Sequence, residues 1–127
     1  MSMRGARVLI ADDEEAVRAF VARALTHHGY EVETAEDGLA ALEALARQRY
    51  DLLVTDIVMP GLDGIELALK VSKDYPETII LMMTGYAAEK QRAYGLESLI
   101  HQVISKPFSL TEICDTVKGA LAERGRV

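Results

Sequence analysis

The sequence has few basic residues and no long apolar stretch, and both shortages limit the partners that the protein can have. Fourteen lysines and arginines stand against twenty acidic residues, so the net charge is −6. That charge repels nucleic acid and anionic membranes, and no local basic run reverses it. Every apolar run is shorter than the ~18 residues that a membrane helix needs. We therefore expect neither nucleic acid nor membrane among the partners.

Cysteine is also scarce, and together with the N-terminus it indicates a compartment. Cys114 is the only cysteine, so an internal disulfide cannot form, and a reducing cytoplasm fits best. The first seven residues lead directly into a strand-like segment, without the apolar region and cleavage site of a signal peptide. The 127 residues suit a single domain spanning 1–127, which excludes an attached DNA-binding output domain. We expect a stand-alone cytoplasmic protein.

Several motifs of other functional classes are absent. The P-loop pattern GxxxxGK[ST] does not occur, which argues against a nucleotide hydrolase. No constellation of cysteine and histidine suggests zinc. A haloacid-dehalogenase-type phosphatase needs a second aspartate two residues after the first, but Val58 stands at that distance from Asp56. Four consecutive acids at 12–15 are unlike the neutral, hydroxyl-rich phosphate loop of a flavin site.

Apolar segments typical of strands alternate with segments of helical period. Strands are predicted at 8–11, 31–35, 51–55, 78–83 and 102–105, and helices at about 17–25, 39–46, 65–72, 87–97 and 110–121. Gly29 suits the end of the first helix, and Ser109 with Glu112 predicts a capping box before the last. Five strand–helix repeats predict an α/β fold with five helices around a doubly wound, five-stranded parallel sheet in the order 2-1-3-4-5.

In this topology the carboxyl ends of the strands meet at one rim, where ligands bind. Asp12 and Asp13 follow the first strand, Asp56 ends the third, Thr84 the fourth, and Lys106 follows the fifth. Two like charges about 4 Å apart repel by roughly 4 kcal/mol at an effective dielectric of 20. A divalent cation removes that cost, and magnesium commonly takes carboxylates, waters and a phosphate as ligands. The rim therefore predicts a Mg²⁺ site.

The same groups are suited to phosphoryl transfer onto a carboxylate. A carboxylate can attack phosphorus once a metal and a cation neutralise the incoming oxygens. Asp56 is the expected acceptor; Thr84 would donate to one phosphoryl oxygen, and Lys106 would pair with another. The metal would take its protein ligands from Asp12, Asp13, Asp56 and the backbone carbonyl of Val58.

Taken alone, each residue has a simpler explanation. Acids at 12–15 also stabilise a helix N-terminus, by about 0.3–1 kcal/mol each, and for that segment capping is an equal alternative. Lys106 alone would be a solvated lysine, and Thr84 alone a strand-end hydroxyl. Tyr86 would either gate the acceptor site or be an ordinary exposed aromatic, and Cys114 fits the buried face of the last helix. Together, at the ends of four strands, the set is far more specific than any member.

These motifs resemble those of the bacterial response-regulator receiver family, the CheY-like proteins of two-component systems. The resemblance covers 8 to about 122 and rests on DD at 12–13, DIVMPGLDG at 56–64, TG at 84–85 and KPF at 106–108. It implies a phosphoprotein with Asp56 as the phosphorylation site, Thr84 as the signalling hydroxyl and Lys106 as its paired lysine.

The resemblance also implies the partners and the chemistry. Magnesium would be the cofactor, and a histidine kinase or a histidine-phosphotransfer protein would supply the phosphoryl group. The protein would not be an enzyme with its own substrate, although it would catalyse its own phosphorylation and dephosphorylation. A cis bond before Pro107 is implied as well.

One position departs from the family pattern. Receivers usually carry Tyr or Phe three residues before the lysine, where this chain has Val103. An aromatic rotor therefore cannot report phosphorylation here. The surface formed by the helix at 87–97, the strand at 102–105 and the last helix would respond through backbone movement or helix repacking, or would respond weakly.

Shorter segments are similar to CpdR-type single-domain regulators of the bacterial cell cycle. They are found at 20–25, 53–57, 67–69, 83–87 and 106–110. Those regulators direct substrates to the ClpXP protease when they are unphosphorylated, which implies ClpX as an output partner and a role as a proteolysis adaptor. The alternative is a phosphorelay shuttle that exchanges phosphoryl groups with a histidine-phosphotransfer protein through a face near the first helix.

Overall fold

The computed structural model describes residues 5–85 and 100–123. The strands are β1 Arg7–Ala11, β2 Glu31–Ala35, β3 Leu52–Asp56, β4 Ile79–Thr84 and β5 Gln102–Ser105. The helices are α1 Glu15–His27, α2 Gly38–Arg47, α3 Gly64–Asp74 and α4 Leu110–Glu123. The described residues thus contain four helices and not the five predicted, because the helix predicted at 87–97 falls outside them, as does Tyr86.

All five strands pair in parallel in the order β2-β1-β3-β4-β5, which confirms the predicted topology. Every residue of β3 and β4 is buried, as expected when helices cover both faces of a parallel sheet. β3 and β4 each begin and end one residue later than predicted. Just before β3, the Asp51 carboxylate accepts the Arg7 backbone N–H at 2.8 Å. Asp56 and Thr84 are consequently the last residues of their strands, at the predicted rim.

Alternate residues of the central strands supply two apolar cores, one on each face of the sheet. Val8 and Ile10 belong to the core shared with α1 and α4, and Leu9 and Ala11 to the core shared with α2 and α3. Phe20 has the helical spacing of the buried residues Val21 and Ala24 of α1, which predicts burial, but it is 42% exposed. None of the helices within 5–85 and 100–123 combines the length and the apolar character that a membrane crossing requires.

The helix ends follow the local sequence. Gly29 has a φ of +92°, the left-handed conformation expected after α1. The capping box before α4 is confirmed, since the Glu112 N–H donates to Ser109 Oγ at 3.0 Å and the Ser109 N–H donates to Glu112 Oε1 at 2.8 Å. Cys114 is buried on α4, as its position on the apolar face predicted.

Candidate functional site

The fold brings three aspartates together at the carboxyl ends of β1 and β3. One carboxylate oxygen from each of Asp12, Asp13 and Asp56 lies within 4.8 Å of the other two. Asp12 is fully buried and Asp56 is 5% exposed, whereas Asp13 is exposed. Oxygen ligands at this spacing, two of them shielded from water, fit a hard divalent cation such as Mg²⁺.

Asp56 is held rigidly at the end of β3. The Ile57 N–H donates to Asp56 Oδ1 at 2.9 Å, and the Thr55 hydroxyl donates to the Asp56 carbonyl at 2.9 Å. Gly64, the first residue of α3, lies directly against the Asp56 carbonyl, where the Cβ of any other residue would overlap the carbonyl. The Gly64 N–H donates to the Ile57 carbonyl at 2.7 Å. The glycine that closes the DIVMPGLDG segment therefore permits the close approach of α3 to the backbone of Asp56.

Lys106 is the cation of the cluster and is shared among three carboxylates. Its Nζ lies 3.2 Å from Asp12 Oδ2, 3.3 Å from Asp56 Oδ2 and 3.7 Å from Glu14 Oε1. The Lys106–Pro107 peptide bond is cis, as the family resemblance implied. The sequence placed Lys106 at this rim but did not predict its contact with Glu14.

Burial and neighbouring charges both shift the pKa values of Asp56 and Lys106. Burial raises the pKa of Asp56 from 3.8 to about 6; Lys106 opposes the rise and Asp12 adds to it. Burial by itself would lower the pKa of Lys106, but the facing carboxylates of Asp56 and Asp12 outweigh it, and the pKa is raised. At neutral pH the pair is therefore an ionised carboxylate beside an ammonium.

The other predicted residues lie around this pair. Thr84 is 2% exposed, and its carbonyl accepts the Lys106 backbone N–H at 2.7 Å. Val58 is 51% exposed and lies beside Asp56 in the loop after β3. Val103 is partly buried in the core formed with α2 and α3, paired with Met82 of β4. An aliphatic side chain thus fills the position of the usual aromatic ring.

The cluster opens into a cleft of about 760 Å³ that sequence reasoning did not anticipate. Acidic residues line one side of the cleft, and its other side is apolar, formed by Ala16, Val17, Phe20, Pro107 and Phe108. The rings of Phe20 and Phe108, the only two phenylalanines of the chain, lie 6.3 Å apart. The signal was present in the sequence: a phenylalanine on α1 and another in the KPF motif both adjoin the rim.

Comparison with known proteins gives the same family as the geometry. Residues 8–118 match the family described as "Response regulator receiver domain". Over 115 residues the chain is 38% identical to "Response regulator MprA" of Mycobacterium leprae, covering 91% of this chain and 50% of that protein. The chain spans about half the length of the curated relatives it matches.

Two similar solved structures are chains of comparable length. The chemotaxis response regulator CheY4 of Vibrio cholerae superimposes with a TM-score of 0.85 at 33% identity, covering 92% of this chain and 99% of that one. The response regulator TrrA of Thermotoga maritima, solved in complex with Mg²⁺–BeF, superimposes with a TM-score of 0.82 at 33% identity. The match covers 91% of this chain and 99% of that one. The chain belongs to the response regulator receiver domain family.

Proposed function

We propose that this domain is a Mg²⁺-dependent phosphoacceptor whose phosphorylation at Asp56 controls the binding of a partner protein. One observation carries the proposal: a buried carboxylate that is ionised at neutral pH faces a lysine ammonium at 3.3 Å and shares its rim with two further aspartates. A purely structural ion pair would not need the additional acids. A histidine kinase or a histidine-phosphotransfer protein is the proposed phosphoryl donor.

The chemistry follows from the groups at the rim. A carboxylate oxygen of Asp56 attacks the phosphorus of the donor; a new P–O bond forms while the bond to the donor nitrogen or oxygen breaks, and the leaving group departs with its electron pair. Bound Mg²⁺ supplies positive charge that neutralises the phosphoryl oxygens. Asp12, Asp13, Asp56 and the Val58 carbonyl would hold the ion.

A phosphoryl group on Asp56 would change the contacts of Lys106. The ammonium lies between Asp12, Asp56 and Glu14, and a phosphoryl oxygen would compete with those carboxylates for it. The Thr84 hydroxyl, at the end of the neighbouring strand, is the proposed donor to another phosphoryl oxygen. Moving a population from 1:99 to 99:1 takes about 5.5 kcal/mol, and new charge-assisted hydrogen bonds are suited to supply much of it.

The state-dependent partner is proposed from the resemblance to CpdR-type regulators, which makes ClpX the first candidate. In this proposal the domain acts on its own, and the similarity to the solved chains of CheY4 and TrrA along nearly their whole length supports it. The apolar side of the cleft favours a second candidate function, a phosphorelay shuttle. Phe20 and Phe108 offer a docking surface next to Asp56, which is what exchange with a histidine-phosphotransfer protein requires.

Binding to immobilised ClpX tests the proposal and separates the two candidates. We expect retention of the unmodified protein and of Asp56→Asn, and loss of retention after loading with beryllofluoride and Mg²⁺, which mimic the phosphorylated state. Asp74→Asn, which changes an exposed aspartate at the far end of α3, is the matched control and should lose retention on loading as the wild type does. Equal retention of all forms would exclude the adaptor role, and phosphotransfer to a histidine-phosphotransfer protein would then favour the shuttle.

A further inference from the structure

We infer that Arg18 is a positioning residue for the Mg²⁺ site, because its guanidinium holds the peptide group between Asp12 and Asp13 and thereby places the Asp13 carboxylate. The inference rests on the proposed function. Its direct observation is a hydrogen bond of 2.8 Å, donated by Arg18 Nη1 to the backbone carbonyl of Asp12. A charge-assisted bond of this length is among the stronger hydrogen bonds in proteins.

Asp12 is held from every side. Its N–H donates to the Ala35 carbonyl at 3.2 Å, its Oδ1 accepts the Glu14 N–H at 2.8 Å, and its Oδ2 lies 3.2 Å from Lys106 Nζ. The first contact fixes the Asp12 backbone N–H, and the other two fix the Asp12 carboxylate. Its carbonyl, which leads on to Asp13, is held by Arg18.

Asp13 has no comparable support. Its carboxylate is exposed, and no residue within 5–85 or 100–123 hydrogen-bonds it or forms an ion pair with it. The position of this carboxylate therefore follows from the backbone alone. Rotation about the Cα–C bond of Asp12 would turn the Asp12 carbonyl and carry the Cβ of Asp13 away from the cluster. Arg18 opposes that rotation.

The helix geometry explains how Arg18 reaches this carbonyl. The Arg18 N–H donates to the Glu14 carbonyl at 3.0 Å, so Arg18 lies one turn into α1. Side chains of a helix point toward its N-terminus, and the guanidinium accordingly folds back over the first turn onto the loop that carries the acids. Here the arginine supports a metal ligand indirectly, as outer-shell residues of metal sites commonly do.

Charge and positioning predict opposite effects of removing Arg18. A guanidinium near the rim repels Mg²⁺, so the loss of charge alone would tighten binding. The loss of positioning would weaken it, and supporting residues of metal sites typically change affinity by about 10–100-fold. The sign of the change in affinity therefore separates the two roles.

Titration of the 127-residue chain with Mg²⁺ alone, followed through the backbone amide shifts at 12–14 and 56–58, measures this sign. We expect Arg18→Met to weaken Mg²⁺ binding roughly 10-fold, and Arg18→Lys to recover most of the affinity, since an ammonium can still donate to the carbonyl. Arg23→Met, an exposed arginine on the same helix, is the control for charge and should leave binding unchanged or slightly tighter. Melting of the metal-free variants checks that the fold is intact.

Equal or tighter Mg²⁺ binding by Arg18→Met would overturn the role of Arg18 while leaving the proposed function standing. Absence of Mg²⁺ binding by the wild type would overturn both. Should Arg18→Met not fold without metal, Arg18→Leu, which also lacks a donor, replaces it, with the same expected loss and the same contradicting result.

Discussion

Asparagine in place of Asp56 is expected to make the metal-free protein more stable, raising the free energy of unfolding at pH 7 by about 1–3 kcal/mol. Burial raises the pKa of this carboxyl from 3.8 to about 6, and one pH unit in a pKa corresponds to about 1.4 kcal/mol. The ionised carboxylate is therefore a strained group in the absence of metal. An amide of the same shape removes the charge and can still accept the Ile57 N–H at Oδ1.

The pH dependence of this effect has a definite sign. The folded-state pKa of Asp56 lies above its unfolded value, so the folded protein binds the proton more tightly, and its stability falls as the pH rises from about 4 through about 6. The difference in the free energy of unfolding between Asp56→Asn and the wild type should be largest above pH ~6 and should shrink toward pH ~4. Urea unfolding in EDTA across this range measures it, with the exposed Asp74→Asn as control. A gap that does not change with pH would contradict the assignment.

Methionine in place of Lys106 is expected to have the largest effect on stability of any single change at the rim. Removing one partner of a buried ion pair commonly costs about 3–5 kcal/mol, because the other charge is left unpaired. Lys106 faces two such groups, the fully buried Asp12 at 3.2 Å and Asp56 at 3.3 Å. We therefore expect the free energy of unfolding of Lys106→Met at pH 7 without metal to fall by an amount in this range.

The double variant Lys106→Met with Asp56→Asn identifies the cause. If like-charge repulsion and an unpaired carboxylate produce the loss, neutralising Asp56 should recover a large part of it. Lys70→Met, an exposed lysine on α3, is the matched control and should change stability by no more than about 0.5 kcal/mol. A loss as small as that of the control, or no recovery in the double variant, would show that Lys106 is not the counterion of the cluster.

Much of the site could be predicted because parallel strands bring their carboxyl ends to one edge. Asp12, Asp56 and Thr84 end up together through strand order alone, and that order follows from five strand–helix repeats and right-handed crossovers. The same reasoning placed Lys106 in the loop after the last strand. No side-chain geometry was needed for these conclusions.

The sequence did not predict the contacts of side chains that lie at the edge of a helix face or near the start of a helix. Phe20 shares a helical period with buried residues of α1, yet it lies at the edge of that face and packs on Phe108. Arg18 and Glu14 look like ordinary surface charges of a helix start. Their contacts with the Asp12 carbonyl and with Lys106 arise because the first turn of α1 lies directly over the rim.

Intact-mass measurement after incubation with acetyl phosphate tests most directly whether this rim is a Mg²⁺-dependent phosphoacceptor site. With Mg²⁺, the wild-type chain should gain the mass of one phosphoryl group, and Asp74→Asn should gain the same. Without Mg²⁺, or with Asp56→Asn, no gain is expected. Labelling of Asp56→Asn to the wild-type level, or labelling of the wild type that is unaffected by EDTA, would contradict the account.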